Sequence, residues 1–158
     1  MKKIYEARMK ASVQEDVVVF LIGMRVSRWW KVHKWIPTAA AMPRMIRELE
    51  ANPDLGFLGA ESWFGRTSIM VQYWRSREAL YNYARNRNSE HLPAWRRFNQ
   101  RVGTSGDVGV WHETYEVPKS GIDSMYVNMP AFGLGRTLAL APAKAGPKAK
   151  PAATQAAA

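Results

Sequence analysis

The sequence predicts an α+β fold of the ferredoxin-like βαββαβ kind. Three observations carry that reading. Four runs near 17–26, 56–64, 67–74 and 107–117 are rich in β-branched, aromatic and apolar residues. Two stretches of helical periodicity lie between the first and second runs and between the third and fourth. That order is the split βαβ arrangement, which sets both helices on one face of a four-stranded antiparallel sheet.

The first run, Val17 to Val26, is apolar on both alternating faces. Val17, Val19 and Leu21 lie on one side, Val18, Phe20 and Ile22 on the other. A strand of this kind is covered on both sides. In "WIPTAAAMPRMIRELEANPDLG", Met42, Met45, Ile46 and Leu49 fall at helical spacing, Pro43 suits the first turn, and Asn52-Pro53 stops the helix. "GFLGAESWF" and "TSIMVQYW" read as strands joined by a hairpin at Gly65-Arg66. "SREALYNYARNRNSEHLPAWRRFNQRVG" reads as helix in two pieces, because Pro93 is tolerated only near a helix start. In the second piece His91, Ala94, Trp95, Phe98 and Val102 share an apolar face; Arg96, Arg97, Asn99, Gln100 and Arg101 take the other. "GIDSMYVNMPAFGLG" is too rich in Gly and Pro for a regular element. Helices on one face leave the other sheet face apolar and bare, and a second copy of the chain is the economical cover, giving a symmetric homodimer.

A chain of 158 residues with 47% apolar composition is one domain with a proper core. Residues 1–15 read as an N-terminal arm, 16–140 as the domain and 141–158 as a flexible Ala/Pro/Lys tail. The formal charge is +10; the tail supplies three lysines and no acid, so the body is still basic and favours anionic partners. Absence of cysteine excludes disulfides, thiolate metal sites and a cysteine nucleophile. The longest apolar block, "VVVFLIGM", is far short of the roughly 20 residues of a membrane span. No secretion signal is visible, and a cytoplasmic protein is expected. No Gly-rich phosphate loop, GxSxG elbow or HExxH pair occurs, which argues against nicotinamide or flavin binding, a serine hydrolase and a non-haem metal site.

The phrases "FLIGMRVSRWWKVHKWIP", "MPRMIRELEANPDLGFLG", "VQYWRS", "EHLPAWRRFN", "VGVWHETYEV" and "YVNMPAFGLG" resemble the monooxygenase-like family of the dimeric α/β barrel superfamily. Its bacterial members were long described only as a domain of unknown function, and fungal relatives act in terpenoid pathways. The resemblance spans roughly residues 15 to 135. It implies a dimeric barrel and one of two chemistries in a pocket between sheet and helices. Some members of the superfamily oxidise aromatic or polyketide substrates without a cofactor. Others hold haem there: haem-degrading monooxygenases, chlorite dismutase-like proteins, dye-decolorising peroxidases and aldoxime dehydratases. In the haem-degrading group the iron ligand is a histidine on the second helix, and "NYARNRNSEHLPAW" resembles that segment, with a different spacing, placing His91 near the ligand position.

The expected site follows. His91 is the candidate haem ligand, Trp95 and Phe98 line the cavity beside it, and Arg25 or Arg28 meets anionic groups such as propionates. An ordinary local hydrogen bond is the competing role for His91. Trp29, Tyr73, Tyr83 and Trp111 are the expected substrate-pocket residues. His112 and Glu113 are adjacent on a strand, so they face opposite ways and cannot share a pocket. His112 is the candidate general base of a cofactor-free oxygenase or a structural residue; Glu113 is a catalytic candidate or, in the plainer reading, an ion-pair partner of Arg25. "RWWKVHKW" interleaves aromatics with bases and reads as a lid over the pocket, with Arg28, Lys31 and Lys34 toward an acidic ligand, as a packed loop, or least of all as a nucleic-acid surface. The leading function is a small oxidative enzyme acting on an apolar or aromatic molecule, with haem. A cofactor-free oxygenase and a non-enzymatic ligand carrier are the alternatives.

Overall fold

The computed structural model describes residues 2–143. In chain order the elements are β1 (Met9–Ala11), β2 (Val17–Val26), α1 (Val32–Ala51), β3 (Phe57–Trp63), β4 (Ile69–Trp74), α2 (Arg77–Arg85), α3 (His91–Arg101), β5 (Val108–Val117), α4 (Leu134–Thr137) and β6 (Leu140–Pro142). The main sheet has the order β3-β4-β2-β5 with every pairing antiparallel. This is the ferredoxin-like α+β fold, with β2, the most apolar run, in the interior of the sheet.

The register decides which side chains meet the helices. Phe20 pairs with Thr114 and Gln72, and Ile22 with His112 and Met70, so these residues share one face. On that side Val18, Leu49, Phe57, Trp74, Leu80 and Tyr83 form the core, with Phe20 and Ile46 packed against it. Burying each such large side chain stabilises the fold by about 1.5–3 kcal/mol. Trp74 stands against Phe57 and Tyr83, at ring separations of 5.4 and 5.9 Å. Its indole N–H donates to Gln72 Oε1 at 2.9 Å, which satisfies both buried polar groups.

Local signals account for the element ends. Ser76 caps α2, its hydroxyl accepting from the Ala79 N–H at 3.1 Å. Pro93 sits in the first turn of α3. Gly56 takes φ +81° between α1 and β3, where a Cβ would lie 2.7 Å from that of Ala79. α1 differs from expectation. It begins at Val32, well before Met42, and contains both Pro37 and Pro43. Helix packing over the sheet outweighs the hydrogen bonds lost at Pro37 and Pro43, a tertiary override of local preference.

Two further features were not anticipated. The boundary placed after Leu140 cuts through β6, which pairs with β1 through Met9–Pro142, Lys10–Ala141 and Ala11–Leu140. Part of the supposed arm and the start of the supposed tail are therefore one small ribbon; the rest of the tail lies outside the described residues. The sheet face away from the helices is also partly covered by the chain itself. Thr137 of α4 fits over Gly59, Phe132 packs on Trp63 at 5.9 Å, and the Gly133 N–H donates to Glu61 at 3.0 Å. The "PAFGLG" segment was unreadable as an element because its covering role is tertiary. On the β5 side of that face Tyr115 remains 50% exposed.

Candidate functional site

Between the helix-facing side of the sheet and α1 and α3 lies a cavity of about 1560 Å³. It exceeds the roughly 300–1,000 Å³ usual for small-molecule sites. Phe20, Ile22, Met70 and His112 form the sheet wall, and Met42 and Met45 belong to the α1 wall. His91, Trp95 and Phe98 form the α3 wall.

His91 opens α3. Its Nδ1 lies 2.9 Å from the Ala84 carbonyl oxygen. A carbonyl can only accept, so Nδ1 carries the hydrogen and the neutral ring keeps its lone pair on Nε2. The local hydrogen bond weighed against a ligand role thus fixes the tautomer that a ligand role needs. Glu48 of α1 anchors the same region, accepting from the Glu90 N–H at 3.0 Å and from the Tyr83 hydroxyl at 2.7 Å. Burial first, and then this bond, push the Tyr83 hydroxyl well above the ordinary tyrosine range. Trp95 and Phe98 stack at 5.5 Å with an interplanar angle of 16°.

His112 reaches the opposite wall, with its ring 5.6 Å from that of Phe20. Glu113 faces the other way, where it accepts from the Tyr115 hydroxyl at 2.6 Å. It is not paired with Arg25, whose guanidinium donates instead to Thr67 Oγ1 at 2.7 Å. Trp29 lies at the cavity mouth and is 72% exposed. Trp111 borders the cavity from the far face by lying across Gly23, where a Cβ would come 2.7 Å from the indole nitrogen. Among the described residues that buried N–H finds no acceptor.

Besides Glu113 and Arg25, three further expected site residues lie outside the cavity lining. Tyr83 belongs to the core beside Trp74. Tyr73 faces away from the helices, with its hydroxyl next to Gly133, and burial first raises its pKa. Arg28 is committed to Asp107 at 2.7 Å. Lys31, at 3.1 Å, and Lys34 bind the same carboxylate, whose side chain is fully buried. These bases therefore hold an internal acid where an acidic ligand was expected. The arrangement has a physical cause: Lys31 precedes the first turn of α1, where a cation opposes the helix dipole, and Asp107 supplies the missing negative charge. It also ties the "RWW" loop to β5, since the Ser27 and Arg28 N–H groups donate to the Asp107 carbonyl.

The Lys34 ammonium foremost, then Lys31, Ser105 and Arg28, holds the Asp107 carboxyl well below the ordinary carboxylate range, against the upward push of burial. A depressed folded pKa contributes stability that is fully present above the unfolded value, about 3.9, and is lost as pH falls toward the folded one. Asp107→Asn is expected to lower Tm at neutral pH, with the gap to wild type closing below about pH 4. Thermal melts between pH 2 and 7 check this; a gap independent of pH would contradict it.

The sequence reading missed four arginines that line the cavity: Arg44, Arg66, Arg97 and Arg101. Arg97 and Arg101 were placed on the polar side of α3. Their spacing held the signal, since each lies three residues after an apolar-stripe member, Ala94 and Phe98, and so flanks the stripe.

A fold with a cavity of this kind invites comparison with known proteins. The family profile described as Monooxygenase af470-like matches residues 17–134. The chain belongs to the Monooxygenase af470-like family. Among curated proteins, Monooxygenase af470 of Aspergillus fumigatus is 30% identical over 94 residues, covering 56% of this chain and 33% of that protein. The chain thus spans about a third of the length of this family relative. Among solved structures, an aldoxime dehydratase co-crystallised with butyraldoxime superposes with a TM-score of 0.67 at 13% identity, over 84% of this chain and 40% of the other. A second aldoxime dehydratase gives 0.64 at 16% identity, over 89% and 45%. At such identities these neighbours show the shared fold, and this chain spans less than half of either. Within the described residues no helix is long and apolar enough to cross a membrane, and no cluster of three potential metal-ligating side chains occurs.

Proposed function

We propose that this member of the Monooxygenase af470-like family is a small oxidative enzyme that takes an apolar or aromatic molecule into the cavity beneath its helices, with haem held by His91. The observation that carries the reading is the His91 Nδ1 hydrogen bond to Ala84, which leaves the lone pair on Nε2 of a residue that lines the cavity. An imidazole oriented in this way by a backbone carbonyl is suited to bind a haem iron. The stacked Trp95 and Phe98 offer a flat apolar wall, and Arg97, Arg101 and Arg44 offer cations to propionates or to a substrate carboxylate. When bound, haem would supply the redox chemistry toward oxygen or peroxide. The chain's own residues orient the imidazole, line the cavity with methionine and aromatic walls, and place His112 across it as a proton donor or acceptor. Glu113 keeps no catalytic part in this reading, because it faces away from the cavity. A homodimer closing over the exposed Tyr115 side of the sheet is part of the same proposal.

A second reading needs no cofactor. His112 projects from β5 onto the cavity wall and is solvent-exposed there, a position from which it can take a proton from a substrate C–H. The resulting carbanion then reacts with oxygen. Oxygen uptake by the purified chain, with apolar phenols as probes, separates the two. In the first reading uptake requires added haem and is lost in His91→Ala. In the second it proceeds without haem, survives His91→Ala and falls at least about a hundredfold in His112→Ala. No uptake with or without haem would favour a ligand carrier and contradict both enzymatic readings.

A further inference from the structure

We propose that the mouth of the cavity is a docking rim that seats the protein on an anionic lipid bilayer. The inference is independent of whether haem is bound. Two loops meet at one end of the sheet, the turn between β3 and β4 and the segment leaving β2. The Val26 N–H donates to the Arg66 carbonyl at 3.0 Å, and Arg25 binds Thr67. From these loops Phe64 projects 91% exposed, Trp29 72% and Trp30 59%, and all three line the cavity mouth. Trp63, 44% exposed, continues the patch at the end of β3. Single exposed apolar residues are ordinary, but several large aromatics on two touching loops form a patch that calls for a partner.

Charge selects the partner. Arg25, near the end of β2, and Arg66, in the turn that it meets, are both exposed on the same two segments. Beside them Arg28, Lys31 and Lys34 share the single buried carboxylate of Asp107, so that cluster keeps an excess of positive charge. The chain as a whole carries +10. Indole and phenyl side chains interleaved with arginines match the boundary between lipid headgroups and acyl chains, where the rings enter the apolar layer and the cations meet phosphates. A bilayer also accepts side chains protruding from separate loops without the matching surface that a protein partner must supply. Docked in this way, the cavity would open directly toward the layer in which an apolar substrate dissolves.

Co-sedimentation of the full chain with vesicles tests the proposal. Binding to vesicles of phosphatidylglycerol and phosphatidylcholine is expected to exceed binding to phosphatidylcholine alone by at least about tenfold. The double variant Trp29→Ser/Phe64→Ser, which keeps every charge and the tail lysines, is expected to lose about tenfold in binding to the anionic vesicles. Phe64→Ser alone alters a side chain that packs on almost nothing, so it reports on docking even if the double variant folds poorly. Failure of the wild type to bind anionic vesicles would overturn the proposal, as would wild-type binding by both variants, which would assign attachment to general charge. If the variants dissociate a dimer in sedimentation velocity while vesicle binding is unchanged, the rim belongs to a second copy of the chain and the proposal fails.

Discussion

Trp74→Ala is expected to cost about 3–5 kcal/mol of stability and to lower Tm by roughly 10–20 °C. Trp74 is 1% exposed on β4, at the point where the sheet meets α1 and α2. Its ring separates Phe57 from Tyr83, so truncation leaves a cavity that neither neighbour can fill without leaving its own contacts. The loss has a polar part as well. Gln72 is 4% exposed, and its Oε1 would lose the indole N–H it accepts from. An acceptor stranded in this way adds about 1–3 kcal/mol. Trp74→Phe, which keeps much of the buried area and loses only the N–H, should fall between the variant and wild type. Chemical denaturation followed by circular dichroism measures both. A loss below about 1 kcal/mol for Trp74→Ala would mean that this helix–sheet contact is not the core.

The sheet order and helix placement were legible in the sequence because they rest on periodicities that tertiary contacts reinforce. Val17 to Val26 alternates two apolar faces and became β2 with those bounds, and Pro93 divided the second helical region as its missing N–H requires. α1 was misread at its start because Pro43 suits a first turn, whereas the helix begins at Val32 and runs through both Pro37 and Pro43. The covering role of the segment from Tyr126 to Thr137 was hidden for the opposite reason. It has little periodicity of its own and is shaped by Gly59, Glu61 and Trp63, which lie far away in sequence.

The site divides in the same way. Alternation on β5 separates His112 from Glu113, and the register places His112 beside Ile22 on the cavity side. The helical stripe brings His91, Trp95 and Phe98 to one wall. Ion-pair partners were not legible. "SRWWKVHK" offers four bases within eight residues, and nothing local reveals that Asp107, more than seventy positions later, claims Arg28, Lys31 and Lys34. A buried acid draws whatever cations the fold brings near it, and the fold sets that proximity.

His91→Ala is the second large effect expected, since it removes the one imidazole that α3 presents to the cavity. The Glu48 carboxylate, which accepts from the Glu90 N–H and the Tyr83 hydroxyl, holds that corner in place without the imidazole. The substitution should therefore remove a ligand without collapsing the wall. Removing a group that merely orients a metal ligand costs about 10–100-fold in affinity, so losing the ligand itself should cost more than about a hundredfold. The decisive measurement is a titration of the purified chain with haem, followed in the visible spectrum for wild type and His91→Ala. The account predicts a saturable Soret band at one haem per chain in wild type, absent or shifted and unsaturable in the variant. A wild-type chain that takes up no haem, or a variant that binds it with the same spectrum and affinity, would contradict it.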